Sequence, residues 1–158
     1  MSALPDRPNI LYIHSHDSGR YVQPYGYSVP TPNMQLLADQ GTLFRRAFCA
    51  APTCSGSRAA LLTGQHCHNN GMTGLAHRGW ELNDYGQHLV HPLKKAGYRT
   101  ILVGEQHISK DPGVIGYDEV RRLDSNLAGL VAPSALDAME GAQEPFFMSI
   151  GFFETHRD

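Results

Sequence analysis

Three short apolar stretches of this chain are separated by longer segments with helix-forming composition. The stretches are rich in β-branched or aromatic residues and carry almost no polar positions, which is typical of strands buried on both faces of a parallel sheet. The predicted strands are residues 9–13, 100–103 and 146–153.

The segments between these strands carry helix start and stop signals. A proline-rich start precedes the first predicted helix, and a glycine closes or follows each of the helices. The predicted helices are residues 33–40, 55–63, 85–95 and 125–139, the last interrupted by Pro133. Residues 42–50 are predicted as an edge strand or an extended segment, and residues 66–83 as a loop. This alternation predicts an α/β fold with a mostly parallel sheet flanked by helices.

Each predicted strand ends in a cluster of polar residues. The clusters are His14-Ser-His16-Asp17, Glu105-Gln-His107 and Glu154-Thr-His156. Because ligands bind at the carboxyl ends of parallel strands, the three clusters are expected to meet at one edge of the sheet. Carboxylates suit Ca²⁺ or Mg²⁺ and imidazoles favour softer divalent metals, and three such clusters at equivalent positions predict a functional site at this edge.

Cys54 lies at a predicted helix start. Pro52 and Thr53 precede it, and helix-forming residues follow. Free backbone N–H groups at a helix start favour an anion, and Arg58 lies four residues on, over the same face. The alternative is a small buried cysteine, an interpretation that suits Cys49 better.

Composition excludes several classes of protein. The 158 residues include thirteen basic and fifteen acidic side chains, so no basic stripe is available for nucleic acid. The longest nearly apolar stretch, residues 145–153, is too short to cross a membrane. Three cysteines without C-x-x-C spacing disfavour a disulfide framework. With no apolar segment of signal-peptide length before residue 9, a cytoplasmic location is expected.

The region around Cys54 resembles the signature of a known family. Cys54-Ser-Gly-Ser-Arg58, followed by Ala-Ala-Leu-Leu-Thr-Gly64, is similar to the sulfatase signature C-x-P-S-R-x-x-x-L-x-T-G. Further motifs fit the same family in the same order: Arg7-Pro-Asn-Ile-Leu-Tyr-Ile, Thr31-Pro-Asn through Gly41, His68-Asn-Asn-Gly71, Gly97-Tyr-Arg-Thr100, Val103-Gly-Glu-Gln-His107 and Pro145-Phe-Phe through His156. Residues 1–158 therefore resemble the N-terminal part of a sulfatase, with heparan N-sulfatase-like members included, in the alkaline-phosphatase-like superfamily.

The resemblance implies a nucleophile and its helpers. In sulfatases a formylglycine-generating enzyme oxidises the signature cysteine, here Cys54, and the hydrated aldehyde attacks sulfur. Arg58 would stabilise that residue, and His107 and His156 match the leaving-group and substrate histidines. The implied substrate is a small molecule carrying a sulfate ester or N-sulfate.

The resemblance also implies a metal site, from which this sequence departs. A divalent metal, usually Ca²⁺ with Mg²⁺ or Mn²⁺ as alternatives, would be held by Asp17, His16 and the residue derived from Cys54. His16 stands where the family has a first aspartate. Glu105 stands where it has the substrate-binding lysine, and Gly56 replaces the proline of the signature.

Two other functions stay open at this point. The first is a phosphate or phosphonate ester hydrolase on the same scaffold, because the lysine and aspartate positions are altered. The second is a non-catalytic fragment, because the later metal-binding motif of the family does not occur in these 158 residues. The chain is expected to be the front part of a longer protein and, alone, to hold half a metal site.

Overall fold

Four parallel strands form one sheet in a computed structural model that describes residues 7–156. The strand order is β1-β4-β2-β3, so β4 lies between the first two strands of the chain. The strands are β1 (Ile10–His14), β2 (Arg99–Gly104), β3 (Glu119–Arg121) and β4 (Phe146–Gly151). The three predicted strands are therefore parallel members of a single sheet, as the apolar stretches predicted.

Burial follows from the position of each strand in the sheet. Every residue of β4 is buried because it has a neighbouring strand on each side and packing on both faces. Strand β1 lies at the sheet edge, and its residues alternate between partly buried and exposed. Leu11 and Ile13 point to the exposed side, while Ile10 and Tyr12 pack against the core.

The described residues form five α-helices. They are α1 (Pro32–Gln40), α2 (Cys54–Thr63), α3 (Cys67–Asn70), α4 (Val90–Lys95) and α5 (Ala128–Gly141). Helix α1 buries no residue, and others pack on the two faces of the sheet. On one face, Val131 and Ala135 of α5 pack on Ile101, Met148 and Ile150. On the other face, the cluster around Phe147 includes Ala59 and Leu62 of α2 and Val90 of α4. This packing fixes α2 beside the strands that bear the polar clusters.

The helix predicted over residues 85–95 is wrong in part. A 3₁₀ helix covers Tyr85–Gln87, and α4 begins only at Val90. Two side chains interrupt the segment: Asp84 accepts a hydrogen bond from the backbone N–H of Gly86, and His88 Nδ1 accepts one from Val90. Such local caps compete with a continuous helix.

Other departures are smaller. The predicted loop 66–83 contains α3 and a 3₁₀ helix over Ala76–Arg78, and residues 42–50 form no strand and contain a turn at residues 45–46. Helix α5 begins at Ala128 because the Ser125 hydroxyl accepts from the Leu127 N–H and holds a turn there. Within residues 7–156, we find no helix that is long and apolar enough to cross a membrane.

Candidate functional site

The polar residues that follow β1, β2 and β4 lie together at one edge of the sheet. The rings of His16 and His107 are 4.8 Å apart between centroids, and those of His16 and His156 are 4.9 Å apart. Backbone hydrogen bonds hold this arrangement: His16 N–H donates to the Glu154 carbonyl, and Thr155 N–H donates to the His16 carbonyl. Residues that follow the first and last strands thus support each other directly.

His16, Asp17 and His156 form a group with the spacing of metal ligands. One donor atom from each side chain lies within 4.8 Å of the other two. His16 is 1% exposed, and its Nε2 has no hydrogen-bond partner in the structure. Burial, followed by the nearby positive charge of Arg58, lowers the pKa of His16 to about 4, so the ring is neutral and able to ligate near pH 7. These residues fit a divalent cation.

Asp17 has an unusual backbone conformation. Its φ is +47°, in the left-handed region that side-chain-bearing residues rarely adopt. His107 shares this feature, with a φ of +57°. Such conformations cost of order 1–3 kcal/mol and are concentrated at functional sites. Both residues are among those predicted from the sequence as part of the site.

Cys54 is the first residue of α2 and lines a cleft of about 280 Å³ at the end of β1. His16, Asp17 and Arg58 line the same cleft. The first-turn N–H groups of a helix have no intrahelical acceptor. Thr53, which precedes α2 in extended conformation, makes no side-chain hydrogen bond that caps them. The thiol therefore lies where helix donors and a guanidinium face one small space.

Arg58 is buried beneath this cleft, with 9% of its surface exposed. Its Nη1 donates to Nδ1 of His14 at 2.6 Å, and Nη2 is 3.5 Å from the Ser15 carbonyl oxygen. Burial and the charge of Arg58 lower the pKa of His14 to about 3, so His14 is a neutral acceptor. Because His14 is neutral, its hydrogen bond does not cancel the positive charge of the Arg58 guanidinium. That charge can therefore attract an anion.

Glu105 and His107 lie on a second cleft, of about 550 Å³, beside the first. One carboxylate oxygen of Glu105 accepts from the backbone N–H groups of Gln106 and His107, and the other accepts from the Asn126 amide. Burial raises the pKa of Glu105, but the neighbouring His107 and these hydrogen bonds outweigh it, so the pKa lies below its ordinary value. The carboxylate is thus ionised and held by protein donors, and substrate binding by Glu105 stays a prediction.

His107 projects from this cleft toward His16. Burial lowers its pKa, although the charge of Glu105 opposes that effect, and its Nδ1 is buried without a hydrogen-bond partner. A neutral imidazole with a free nitrogen suits proton transfer or ligation. The ring of His77 is 6.0 Å away, on the same cleft.

The structure therefore brings together the site residues that the sequence marked. Cys54, Arg58, His16 and Asp17 line one cleft, Glu105 and His107 line the next, and the His156 ring lies 4.9 Å from that of His16 and 6.3 Å from that of His107. Sequence reasoning missed His14 and Asn126 as partners of Arg58 and Glu105. His14 stood in a marked polar cluster, whereas nothing in the sequence singled out Asn126.

Comparison with known proteins places these observations in a family context. A family profile described as Sulfatase matches residues 8–158. Human N-sulphoglucosamine sulphohydrolase is 31% identical over 94% of this chain and 32% of its own length. The arylsulfatase of Klebsiella aerogenes is 32% identical over 74% of this chain and 27% of its own.

Solved structures agree with these sequence matches. One, of a protein in complex with its substrate D-glucosamine-2-N,6-O-disulfate, superimposes with a TM-score of 0.83 and 25% identity. That match covers 96% of this chain and 35% of the other. The match covers between about a quarter and a third of the length of the first two of these relatives.

Proposed function

Because this chain belongs to the sulfatase family, we propose that the protein hydrolyses the sulfate ester or N-sulfate of a small sugar, with residue 54 as nucleophile. Its sheet and flanking helices have the alkaline-phosphatase-like fold of sulfatases. The observation that carries the proposal is the shared cleft of Cys54 and Arg58 at the start of α2.

The cleft has the electrostatics that a sulfate group requires. The guanidinium of Arg58 is fixed by a neutral histidine, so its positive charge is retained in a buried setting. The N–H groups of the first turn of α2 add donors at the same place. Charge that develops on the sulfate oxygens would therefore meet preorganised donors, which stabilise the transition state electrostatically.

Residue 54 would be converted before it acts. As formylglycine, made by a formylglycine-generating enzyme, it would supply the hydroxyl nucleophile of the family. Gly56 lies two residues on, at the position of the signature proline, and a Cβ there would lie only 3.1–3.2 Å from Ala51 Cβ, the Met72 carbonyl oxygen and Cys67 Sγ. Glycine therefore leaves room for close packing around the first turn of α2. Oxidation of Cys54 to formylglycine is part of the proposal.

A histidine of the second cleft would transfer a proton to the leaving group. His107 is neutral near pH 7, and its unpartnered Nδ1 is free to bind a proton or a sugar hydroxyl. Glu105 keeps the His107 backbone in place through its hydrogen bond to that N–H group. A divalent cation held by His16, Asp17 and His156 would supply positive charge beside the sulfate; His156 would then be a metal ligand rather than the substrate histidine that the family resemblance implies.

The names of two relatives guide the choice of substrate. One is an N-sulphoglucosamine sulphohydrolase, and another was solved with a glucosamine disulfate. We therefore take a sulfated amino sugar as the substrate class to test. A phosphate ester is the alternative, because the scaffold and nucleophile position suit either anion.

The test is release of inorganic sulfate by protein co-expressed with a formylglycine-generating enzyme. Glucosamine N-sulfate and glucosamine 6-O-sulfate are compared with glucosamine 6-phosphate. We expect sulfate release that Cys54→Ala abolishes and that Cys49→Ala, a change at an exposed cysteine, leaves intact. Phosphate release alone, or turnover that persists in Cys54→Ala, would reject the proposal.

A further inference from the structure

The group of His16, Asp17 and His156 offers a donor set unlike the one that the family resemblance implies. Two of its donors are imidazole nitrogens and one is a carboxylate oxygen. Within residues 7–156, no other three His, Cys, Asp or Glu side chains come close enough to share an ion. Among the described residues, the side chains of this cluster would therefore determine which metal ion the protein binds.

Burial and backbone hydrogen bonds hold the three side chains of this cluster in place. His16 is almost fully buried, and its Nε2 lacks a partner, which costs free energy unless something occupies that nitrogen. The Thr155 hydroxyl and the Thr155 N–H both donate to the His16 carbonyl, at 2.6 Å and 3.0 Å. These bonds hold the segment that carries His156 against the segment that carries His16 and Asp17.

The chemistry of the donors decides which cation fits. Ca²⁺ takes six to eight oxygen ligands, and a neutral imidazole replaces one of them poorly. Imidazole together with carboxylate suits Zn²⁺ and its first-row neighbours, which bind nitrogen more strongly. Zinc sites with two histidines and one carboxylate leave a coordination position open for water or substrate.

We propose that His16, Asp17 and His156 bind a first-row transition-metal ion, with Zn²⁺ preferred over Ca²⁺. The inference deepens the proposed function and rests on it for the role of the ion, since the same cation would lie beside the sulfate. Histidine at position 16 is the residue that turns the site away from calcium. Metal selection therefore depends on a side chain that is remote from the nucleophile in sequence.

The first test is metal content, which needs no substrate. Purified protein is dialysed against equal concentrations of Zn²⁺ and Ca²⁺, and bound metal is measured by mass spectrometry. Three protein donors with an open fourth position are enough for zinc, so, in contrast to the half site that the family resemblance implies for this chain, we expect about one Zn²⁺ per chain and little Ca²⁺. In His16→Asp, which introduces a second carboxylate, Zn²⁺ affinity is expected to fall at least about 10-fold and the preference to move toward Ca²⁺.

The matched control is His68→Ala. His68 is an exposed histidine of α3, so this variant reports how much zinc is bound by surface histidines. It is expected to retain the wild-type metal content. Retention of Ca²⁺ rather than Zn²⁺ by the wild type, absence of bound metal, or equal Zn²⁺ binding by wild type and His16→Asp would overturn the inference.

A second measurement uses only the wild-type protein, in case the variant fails to fold. Co²⁺ is titrated into the protein and its visible absorption is recorded. We expect a spectrum that Zn²⁺ removes and an equal concentration of Ca²⁺ does not; removal by Ca²⁺ would contradict the inference. Zinc binding without sulfate release would reject only the proposed function, and sulfate release with a calcium preference would reject only this inference.

Discussion

Arg58 Nη1 donates a hydrogen bond to Nδ1 of His14, 44 residues earlier in the chain, at a distance of 2.6 Å. Because arginine can only donate, the accepting nitrogen of His14 carries no proton. The contact joins the first turns of α2 to the end of β1, and so fixes the two sides of the Cys54 cleft. The orientation of the guanidinium thus depends on a histidine outside the family signature.

Replacing His14 tests this relationship through stability. His14→Leu removes the acceptor and leaves a buried guanidinium N–H unpaired, which is expected to lower the free energy of unfolding by about 1–3 kcal/mol. His14→Asn, which keeps an acceptor at the same distance from the backbone, should cost less. Urea denaturation of both variants checks the order, and a smaller loss in His14→Leu than in His14→Asn would contradict it.

Gly151 is expected to tolerate no side chain. A Cβ at this position would collide with the Glu105 carbonyl oxygen, because β2 and β4 approach closely where they enter the site. We expect Gly151→Ala to reduce the free energy of unfolding by about 2–4 kcal/mol. Gly129→Ala is the control: its Cβ meets nothing within 4 Å, so this helical change should stabilise by up to about 1 kcal/mol. Thermal melts that place Gly151→Ala at wild-type stability would disprove the close approach.

The left-handed backbone of Asp17 predicts a difference between two substitutions. Both Asp17→Gly and Asp17→Ala remove the carboxylate, and both are expected to weaken metal binding. Glycine adopts a φ of +47° without strain, whereas alanine does not, so the glycine variant should be more stable by about 1 kcal/mol. Because glycine also loses more backbone entropy on folding, an alanine variant at least as stable as the glycine variant would contradict the prediction.

His88 predicts a pH dependence of stability. It is fully buried, and burial lowers its pKa to about 4 from an ordinary 6.5. Between these values the unfolded chain binds a proton that the folded chain does not, so the unfolding free energy falls as the pH falls, by up to about 1.4 kcal/mol per pH unit.

The variant His88→Asn removes this titration while keeping an acceptor for the Val90 N–H. The stability difference between wild type and variant, measured by urea denaturation, should therefore shrink from about pH 7 to about pH 5. His68→Asn, at an exposed position, is the matched control. A difference for His88→Asn that stays constant over this range would refute the assignment.

The sequence predicted the sheet well because each central strand is a continuous apolar stretch. The same stretches predicted where the polar clusters lie, because the carboxyl ends of parallel strands meet at one edge of the sheet. The short strand β3 was missed because Glu119–Arg121 carries two charged residues and is bounded by no apolar pattern. The break before α4 was missed because it depends on side-chain caps from Asp84 and His88.

The site was predictable in its members and less so in its connections. Cys54, Arg58, Asp17 and His107 follow from local position at a helix start or a strand end. The pairing of Arg58 with His14 and the three bonds between His16 and the segment after β4 join residues far apart in sequence. Such contacts depend on tertiary packing, which no local pattern records.

The chemical state of residue 54 tests the central claim most directly. Trypsin cleaves after Arg46 and Arg58, so one peptide, residues 47–58, contains Cys54 together with Cys49 as an internal control. After alkylation of free thiols in protein co-expressed with a formylglycine-generating enzyme, mass spectrometry should show one alkylated cysteine, Cys49, and an aldehyde at position 54. A peptide in which both cysteines are alkylated, with no aldehyde form, would contradict the account.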